Sequence, residues 1–415
     1  MLILMSSDYP ILDNFFGLDA EEAIVESGVR EIFTPHQPIS DSDLLLGRQK
    51  EVKKLVQTLN TPGQHVLLFG ERGVGKSSLA NIVAEFLRLL IKRKIFVKRC
   101  DREDTFESIL VGPLAWVGGD LKLKTVSEES AAKALLDLKM VKGDKSKSYT
   151  GTYEVNSPVT PSTVAEIIHD IEGLLVVDEV DALANLNEQR KLAELIKLLS
   201  DAGSKFKIMI VGIAETGSEL TAAHPSVQRC LKETKVRRMT ESELKQVVMK
   251  GSAKTGLAFT PKVTASIASL SAGYPHFTHL IALKCAEMAI ADGRKDIRDA
   301  NLNDALELAV EDAEGTLKHD YDQATRSTGS DMYKNIVIAA AMMKSEEFSS
   351  ATLRQEVQRI TGKPISQGSM NNFLKRLVSD DSASILRRMS KGIYRFSDPR
   401  MASFARMANA LVDEA

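Results

Sequence analysis

Cysteine is nearly missing from this sequence. The 415 residues hold three, Cys100, Cys230 and Cys285, far apart and odd in number. They exclude a disulfide framework, no two stand at metal-ligand spacing, and the usage suits a reducing cytoplasm. Charge of one sign is also missing. The net charge is -2, so the whole chain has no pull toward nucleic acid or an anionic membrane, and any nucleic-acid-binding face must be local. Long hydrophobic runs are the third absence. No apolar stretch reaches membrane-spanning length, and Met1 to Met5 is too short for a secretory signal before Ser6, Asp8 and Pro10 intervene. The remainder, 43% hydrophobic and 27% charged, is that of an ordinary soluble globular protein long enough for two or three domains.

Gly70-Glu71-Arg72-Gly73-Val74-Gly75-Lys76-Ser77 is the most informative stretch present. The apolar run His65–Phe69 before it reads as a buried strand, and the amphipathic run Ser77–Leu90 after it reads as a helix. Strand, glycine-rich turn and helix N-terminus together form a phosphate cradle. Glycines let backbone N–H groups approach phosphate oxygens, and the helix dipole favours the anion. In that pattern Lys76 reaches the β- and γ-phosphates and the Ser77 hydroxyl ligates Mg²⁺.

Further along, the spacing predicts strands at Ile95–Arg99, Leu174–Val177 and Ile208–Val211, alternating with helices over Thr105–Leu114, Ser162–Ile171 and Asn187–Leu199. Gly47–Asn60 is helical by period. Alternation of this kind means an α/β domain with a parallel sheet. Residues 117–160 carry glycines, a lysine-rich Ser/Gly run and prolines, with 7 Lys against 6 acids, and read as an insertion. Val176-Val177-Asp178-Glu179 puts two carboxylates at a strand end, where open α/β sheets bind ligands. Asp178 can share the Mg²⁺ with Ser77, and Glu179 can polarise an attacking water. After Ile208–Val211 come Gly212-Ile213-Ala214-Glu215-Thr216. Glu215 and Thr216 are both candidates for contact with that water or the γ-phosphate, and Thr216 is equally a helix cap.

Beyond about residue 240 the strand patterns stop. Helical patterns at Glu241–Thr255, Thr264–Leu270, Phe277–Ala291 and Leu302–Thr316 predict a small all-helical domain, followed by a polar linker at Tyr321–Ser330. Residues 331–415 predict three helices (Tyr333–Met343, Ala351–Ile360, Met370–Val378) and a hairpin of Ile385–Arg388 with Ile393–Phe396, the pattern of a winged helix-turn-helix. This segment has 13 Lys+Arg against 9 Asp+Glu in a chain that is negative overall. Lys375 and Arg376 fall on the candidate recognition helix, and Arg387, Arg388 and Lys391 on the candidate wing. The bland alternative is a winged helix that contacts protein.

Over roughly residues 30–415 the chain resembles the AAA+ ATPases, in particular the origin-recognition/initiator-like clade and the neighbouring STAND ATPases. The resemblance rests on Gly70–Ser77 as Walker A, Leu174–Glu179 as Walker B, Gly212–Thr216 as the sensor 1 region, Leu46-Gly47-Arg48 ahead of the first strand, and the C-terminal winged helix. It implies an ATP-binding switch with Mg²⁺, self-assembly into an ATP-dependent oligomer, double-stranded DNA or a protein as partner, and no membrane. The fold it implies is a P-loop parallel sheet, an all-helical lid and a C-terminal winged helix. The domains are then an N-terminal extension (1–45), the AAA+ α/β domain (46–239), the lid (240–320) and the winged helix (331–415).

The nucleotide-binding residues implied are Gly47, Arg48, Gly70, Gly73, Val74, Gly75, Lys76, Ser77, Ser78, Asp178, Pro275 and His276, with Ser77 and Asp178 holding the metal. Glu179 and Glu215 are the catalytic candidates of this subunit. Arg229 is the candidate arginine finger for the next one, and an ordinary surface arginine is the alternative. His276, which can contact phosphate, and His279 are equally readable as helix-start and packing residues. Two departures separate the chain from the initiator pattern. Glu215 stands where asparagine is usual, and the lid helix opens Gly273-Tyr274-Pro275-His276 without an arginine. Both fit a slow switch better than a fast motor. A signalling or defence ATPase, or a nucleotide-locked scaffold, are the alternatives.

Overall fold

Apolar strand segments flanked by amphipathic helices pair into one parallel sheet. The computed structural model describes residues 18–38, 48–117, 159–213, 225–313, 315–327, 331–343, 345–379 and 384–410. They divide into two units: one of the described residues within 38–71 and 75–237, the other of those within 18–37, 72–74 and 238–410.

In the first unit the helix α3 (Gln49–Asn60) leads into β1 (His65–Phe69), the phosphate-loop residues, and α4 (Lys76–Ile91). Then follow β2 (Lys94–Arg99), α5 (Phe106–Val117), α6 (Pro161–Ile168), β3 (Gly173–Asp178), α7 (Leu186–Asp201), β4 (Lys207–Gly212) and β5 (Leu231–Lys235). The order across the sheet is β2-β3-β4-β1-β5, all parallel. β3 and β4 are buried along their whole length, as expected of central strands covered on both faces. β5 is an edge strand with the mostly polar sequence Leu-Lys-Glu-Thr-Lys. It carries no apolar-run signal, and the ladder ends at Lys235, ahead of Arg237 and Arg238.

A half-buried arginine and a buried lysine close the N-terminal end of this sheet. Arg93 donates to the Leu59 carbonyl (3.1 Å) and Lys207 to the Thr61 carbonyl (3.0 Å), capping the C-terminus of α3. His65 lies beside them and accepts the Ile208 N–H through Nδ1 at 3.0 Å, so its ring is neutral. Burial, with the nearby Lys207 charge, pulls its pKa down to about 3. The unfolded chain therefore takes up a proton near pH 6.5 that the folded chain refuses. This contribution is complete above pH 6.5 and is lost as pH falls toward 3, at up to about 1.4 kcal/mol per pH unit. Urea unfolding at pH 7 and pH 5 should show this loss, and His65→Asn, which keeps an acceptor but cannot charge, should flatten it.

The second unit begins with α1 (Leu18–Glu26) and α2 (Val29–Ile32), where the sequence pattern gave no helix. Its lid helices are α8 (Glu241–Thr255), α9 (Pro261–Leu270), α10 (Pro275–Ala291) and α11 (Leu302–Asp312). Thr240 closes a capping box with Glu243 at the start of α8, and Thr260 caps α9 ahead of Pro261. The lid is helical except for a two-residue parallel pair, β6 (Ala258–Phe259) with β7 (Asp296–Ile297).

The N-terminal arm belongs to this unit through Phe33, which is fully buried and packs edge-on against Phe259 and His279. A Cβ at Gly251 on α8 would stand 2.2 Å from the Phe33 ring, so glycine there makes the niche. Phe33→Ala should lower stability by about 3–5 kcal/mol. Gly251→Ala should expel the ring and lower the thermal midpoint comparably.

α12 (Gly315–Thr325) replaces the first half of the expected linker, because Tyr321 is buried against the Phe404 ring at 5.4 Å. The C-terminal elements are α13 (Met332–Met342), β8 (Phe348–Ser349), α14 (Ser350–Thr361), α15 (Gln367–Val378), β9 (Leu386–Ser390), β10 (Ile393–Phe396) and α16 (Met401–Ala410). The strands form an antiparallel sheet of order β8-β10-β9. α16, absent from the sequence reading, ties the C-terminal elements to the lid. Ser403 donates to Ser271 O, and Arg406 donates to Ala341 O and Ser269 O.

Candidate nucleotide-phosphate site

β1 delivers the chain to the phosphate loop at the C-terminal edge of the sheet. At Gly70 a Cβ would stand 2.5 Å from the Val236 carbonyl oxygen, so no side chain fits. Gly75, at φ +90°, is the left-handed turn that opens α4. α4 is 16 residues long, with no side-chain cap and no acid in its first turn. Its N-terminal dipole favours an anion, and the backbone N–H groups of its first turn, those of Ser77 and Ser78 among them, stand at that end. Lys76 is the first residue of this helix. Its Nζ donates to the carbonyls of Gly70 (3.0 Å) and Glu71 (2.8 Å), which places the charge inside the loop's own curve. Gly73 and Val74 lie at the loop tip, between Gly70 and Gly75.

Two strands over, β3 ends on Asp178. β4 lies between β1 and β3, so at a spacing of about 4.8 Å per strand the two site-bearing strands stand about 10 Å apart. Asp178 is 6% exposed, and its Oδ1 accepts the Glu179 N–H at 3.0 Å. Among the described residues it has no basic side-chain partner. A buried carboxylate with no basic partner among the described residues suits a hard cation that keeps waters and phosphate oxygens as its other ligands, and Mg²⁺ is such a cation. No cluster of three or more His, Cys, Asp or Glu able to hold a metal occurs among the described residues.

Glu179 is exposed and sits at φ 57°, a left-handed conformation costly for a non-glycine residue. It heads a short 3₁₀ turn, Val180–Ala182, that fully buried Val180 anchors in the core. Asp181 of that turn accepts the Ile213 N–H just beyond β4. Sequence reading passed over Asp181, although its signal is visible in the spacing Asp178-Glu179-Val180-Asp181. Glu215 and Thr216 lie outside the described residues, as does Gly47.

Other expected site residues are placed elsewhere. Arg48, 3% exposed, donates to the Arg237 carbonyl and lies 3.4 Å from Glu51, a structural tie at the head of α3. Arg229 is largely exposed and pairs with Asp201 at 2.5 Å. It precedes β5, whose Leu231 pairs with His65, so it sits at the sheet edge opposite its own phosphate loop. In the lid, Pro275 opens α10, and His276 Nδ1 is 2.8 Å from the Pro35 carbonyl. His279, 3% exposed, accepts the Thr34 N–H and is held neutral by burial, its pKa pulled down to about 4. In the C-terminal elements Lys375, Arg387, Arg388 and Lys391 are exposed. Arg376 instead stacks over the Tyr333 ring at 4.1 Å and donates to Arg326 O at 2.7 Å.

A parallel sheet with a glycine-rich loop after β1, an acidic pair after β3 and a strand between them is the fold of the AAA+-type P-loop proteins, shared with an origin-recognition protein. The chain belongs to the family described as novel STAND NTPase 1, whose model matches residues 36–276, more than half of the chain. Among solved structures it is similar to the ORC2 protein of Aeropyrum pernix, described in ADPNP–ADP complexes. The TM-score is 0.52 at 15% identity, covering 93% of this chain and 98% of that one. It is also similar to the Walker-type ATPase PABY2304 of Pyrococcus abyssi, with a TM-score of 0.51 at 17% identity, covering 90% of this chain and 99% of that one. No curated protein matches the sequence significantly. No helix among the described residues is long and apolar enough to cross a membrane.

Proposed function

We propose that this protein is an ATP-dependent switch that binds ATP with Mg²⁺, hydrolyses it slowly, assembles with itself and associates with duplex DNA through its C-terminal elements. The observation that carries the nucleotide part is the uncapped, acid-free N-terminus of α4 behind Lys76, with Asp178 and Glu179 two strands away on the same sheet edge. Lys76 and the loop N–H groups bind and orient the β- and γ-phosphates. Ser77 and Asp178 hold Mg²⁺, which neutralises charge on the phosphate oxygens. Glu179 orients and polarises the water that attacks in line. ADPNP and ADP, found with the Aeropyrum pernix protein, favour adenine as the base. Pro275 and His276 are the candidate lid contacts to the nucleotide. Arg229, exposed and away from its own loop, suits a finger presented to a neighbouring copy, and Glu215 stands by as the sensor.

For DNA, the order helix, strand, two helices, two strands is that of a winged helix, with α15 as reading helix and the β9–β10 hairpin as wing. α15 contains no acidic residue, and Lys375, Arg387, Arg388 and Lys391 are open to solvent. Arg376, spent on Tyr333 and Arg326, is the weakest of the five candidate contacts. Neutralising Arg387, Arg388 and Lys391 together should weaken duplex binding and lower the slope of log affinity against log salt by about 2–3. ATPase activity without DNA should stay unchanged. Membership of a STAND family supports a second reading, in which the same elements contact a protein. ATPase rate and oligomeric state, measured with and without duplex DNA, separate the two: stimulation and assembly on DNA support the first, indifference to DNA the second.

A further inference from the structure

The acidic turn after β3 carries a third carboxylate with a partner of its own. Asp181 is exposed, so burial gives it no need of a partner, yet its Oδ1 accepts the Ile213 N–H at 3.2 Å. That donor is the first backbone N–H after Gly212, the last residue of β4, where Phe69 of β1 is the register partner. The register of β1 with β4 ends at Gly212, and Asp181 holds the next residue, Ile213. Glu215 lies two residues further on.

The turn that carries Asp181 is itself well fixed. The Ala182 N–H donates to Glu179 O at 2.8 Å, the Leu183 N–H to Val180 O at 3.1 Å, and the Glu179 N–H to Asp178 Oδ1 at 3.0 Å. Val180 and Leu183 are both buried in the hydrophobic core. Glu179 keeps its left-handed backbone within this frame, a conformation that persists only where the surroundings over-determine it. Among the described residues, the side-chain bond from this turn to the end of β4 is the one made by Asp181.

We propose that Asp181 is a positioning residue for hydrolysis: its carboxylate ties the turn bearing Glu179 to the exit of β4, and so sets where Glu179 stands relative to the end of that strand. The proposal rests on the hydrolysis reading above. It adds a residue that touches neither nucleotide nor metal. Misplacement of a reacting group by about 1 Å can cost up to a hundredfold in rate, so loss of this tie should act on turnover and not on binding.

The test compares Asp181→Ala, Asp181→Asn and Glu179→Gln with the wild type in full-length protein. The readouts are the affinity for a fluorescent ATP analogue, kcat, KM and the thermal midpoint. Asp181→Ala should lower kcat about tenfold, with nucleotide affinity within twofold of wild type and an unchanged midpoint. Asp181→Asn keeps an oxygen that accepts the Ile213 N–H and should recover at least half of the wild-type kcat. Wild-type turnover in Asp181→Ala overturns the proposal. Equal loss in both Asp181 variants shows that charge and not the hydrogen bond matters, and also overturns it. Lost nucleotide affinity or a lowered midpoint assigns Asp181 a merely structural role. Unimpaired hydrolysis in Glu179→Gln sinks the underlying reading of Glu179 instead, whatever the Asp181 variants do.

Discussion

Lys76→Ala is expected to bind ATP roughly a hundredfold more weakly than the wild type while unfolding at the same temperature. Lys76 stands at the first position of α4, and its Nζ lies within the curve of the phosphate loop, held by the carbonyls of Gly70 and Glu71. Those bonds are to neutral acceptors. Two phosphate oxygens replace them with charge-assisted bonds, each worth about 1.5–3 kcal/mol. At 1.4 kcal/mol per factor of ten, loss of both costs about two decades or more in affinity. Alanine is the best helix former, so α4 itself gains nothing to destabilise it. Titration with a fluorescent ATP analogue beside a thermal melt measures both halves. Affinity within a few-fold of wild type, with a normal melt, removes the phosphate-cradle assignment.

Glu179→Gln is expected to bind ATP normally and to hydrolyse it roughly 10²–10⁴-fold more slowly, the usual share of a positioned general base. The substitution keeps the shape of the side chain and leaves the left-handed backbone at φ 57° under the same strain. Asp178, the proposed metal ligand, is untouched, so binding is retained. Trapped in its ATP-bound form, the variant should also stabilise any ATP-dependent oligomer. Single-turnover hydrolysis with light scattering on the same sample reads both effects. A wild-type rate transfers the catalytic role to Glu215.

Much of the first unit is legible along the chain because its signals are local. His65–Phe69, Leu174–Val177 and Ile208–Val211 are apolar runs bounded by turn residues, and all three are central strands of the sheet. Gly70–Ser77 declares a strand, a left-handed turn and a helix start within eight residues. β5 was illegible because an edge strand needs only one covered side, and its Lys-Glu-Thr-Lys run is that of a solvated segment. The second half of α12, from Tyr321, reads as linker because the helix sequence, Gly-Thr-Leu-Lys-His-Asp-Tyr-Asp-Gln-Ala-Thr, is mostly polar. Leu317, Tyr321 and Ala324 bury a narrow stripe that only a partner such as Phe404 makes worthwhile. Arg376 and Arg48 look alike in sequence to any surface arginine, yet one is stacked on Tyr333 and the other is buried on a backbone carbonyl.

The sequence by itself determined the class of chemistry. Residue type and spacing suffice for a phosphate loop, since glycine conformation, helix dipole and a lysine one residue into the helix all act within a single turn of chain. The tertiary structure alone decided which residues share a site or a core. That β4 inserts between β1 and β3, that Asp181 reaches Ile213, and that Phe33 from the N-terminal arm fills the space left by Gly251 more than two hundred residues later are matters of register and packing. Those contacts form between segments distant in the chain, and no local propensity records them.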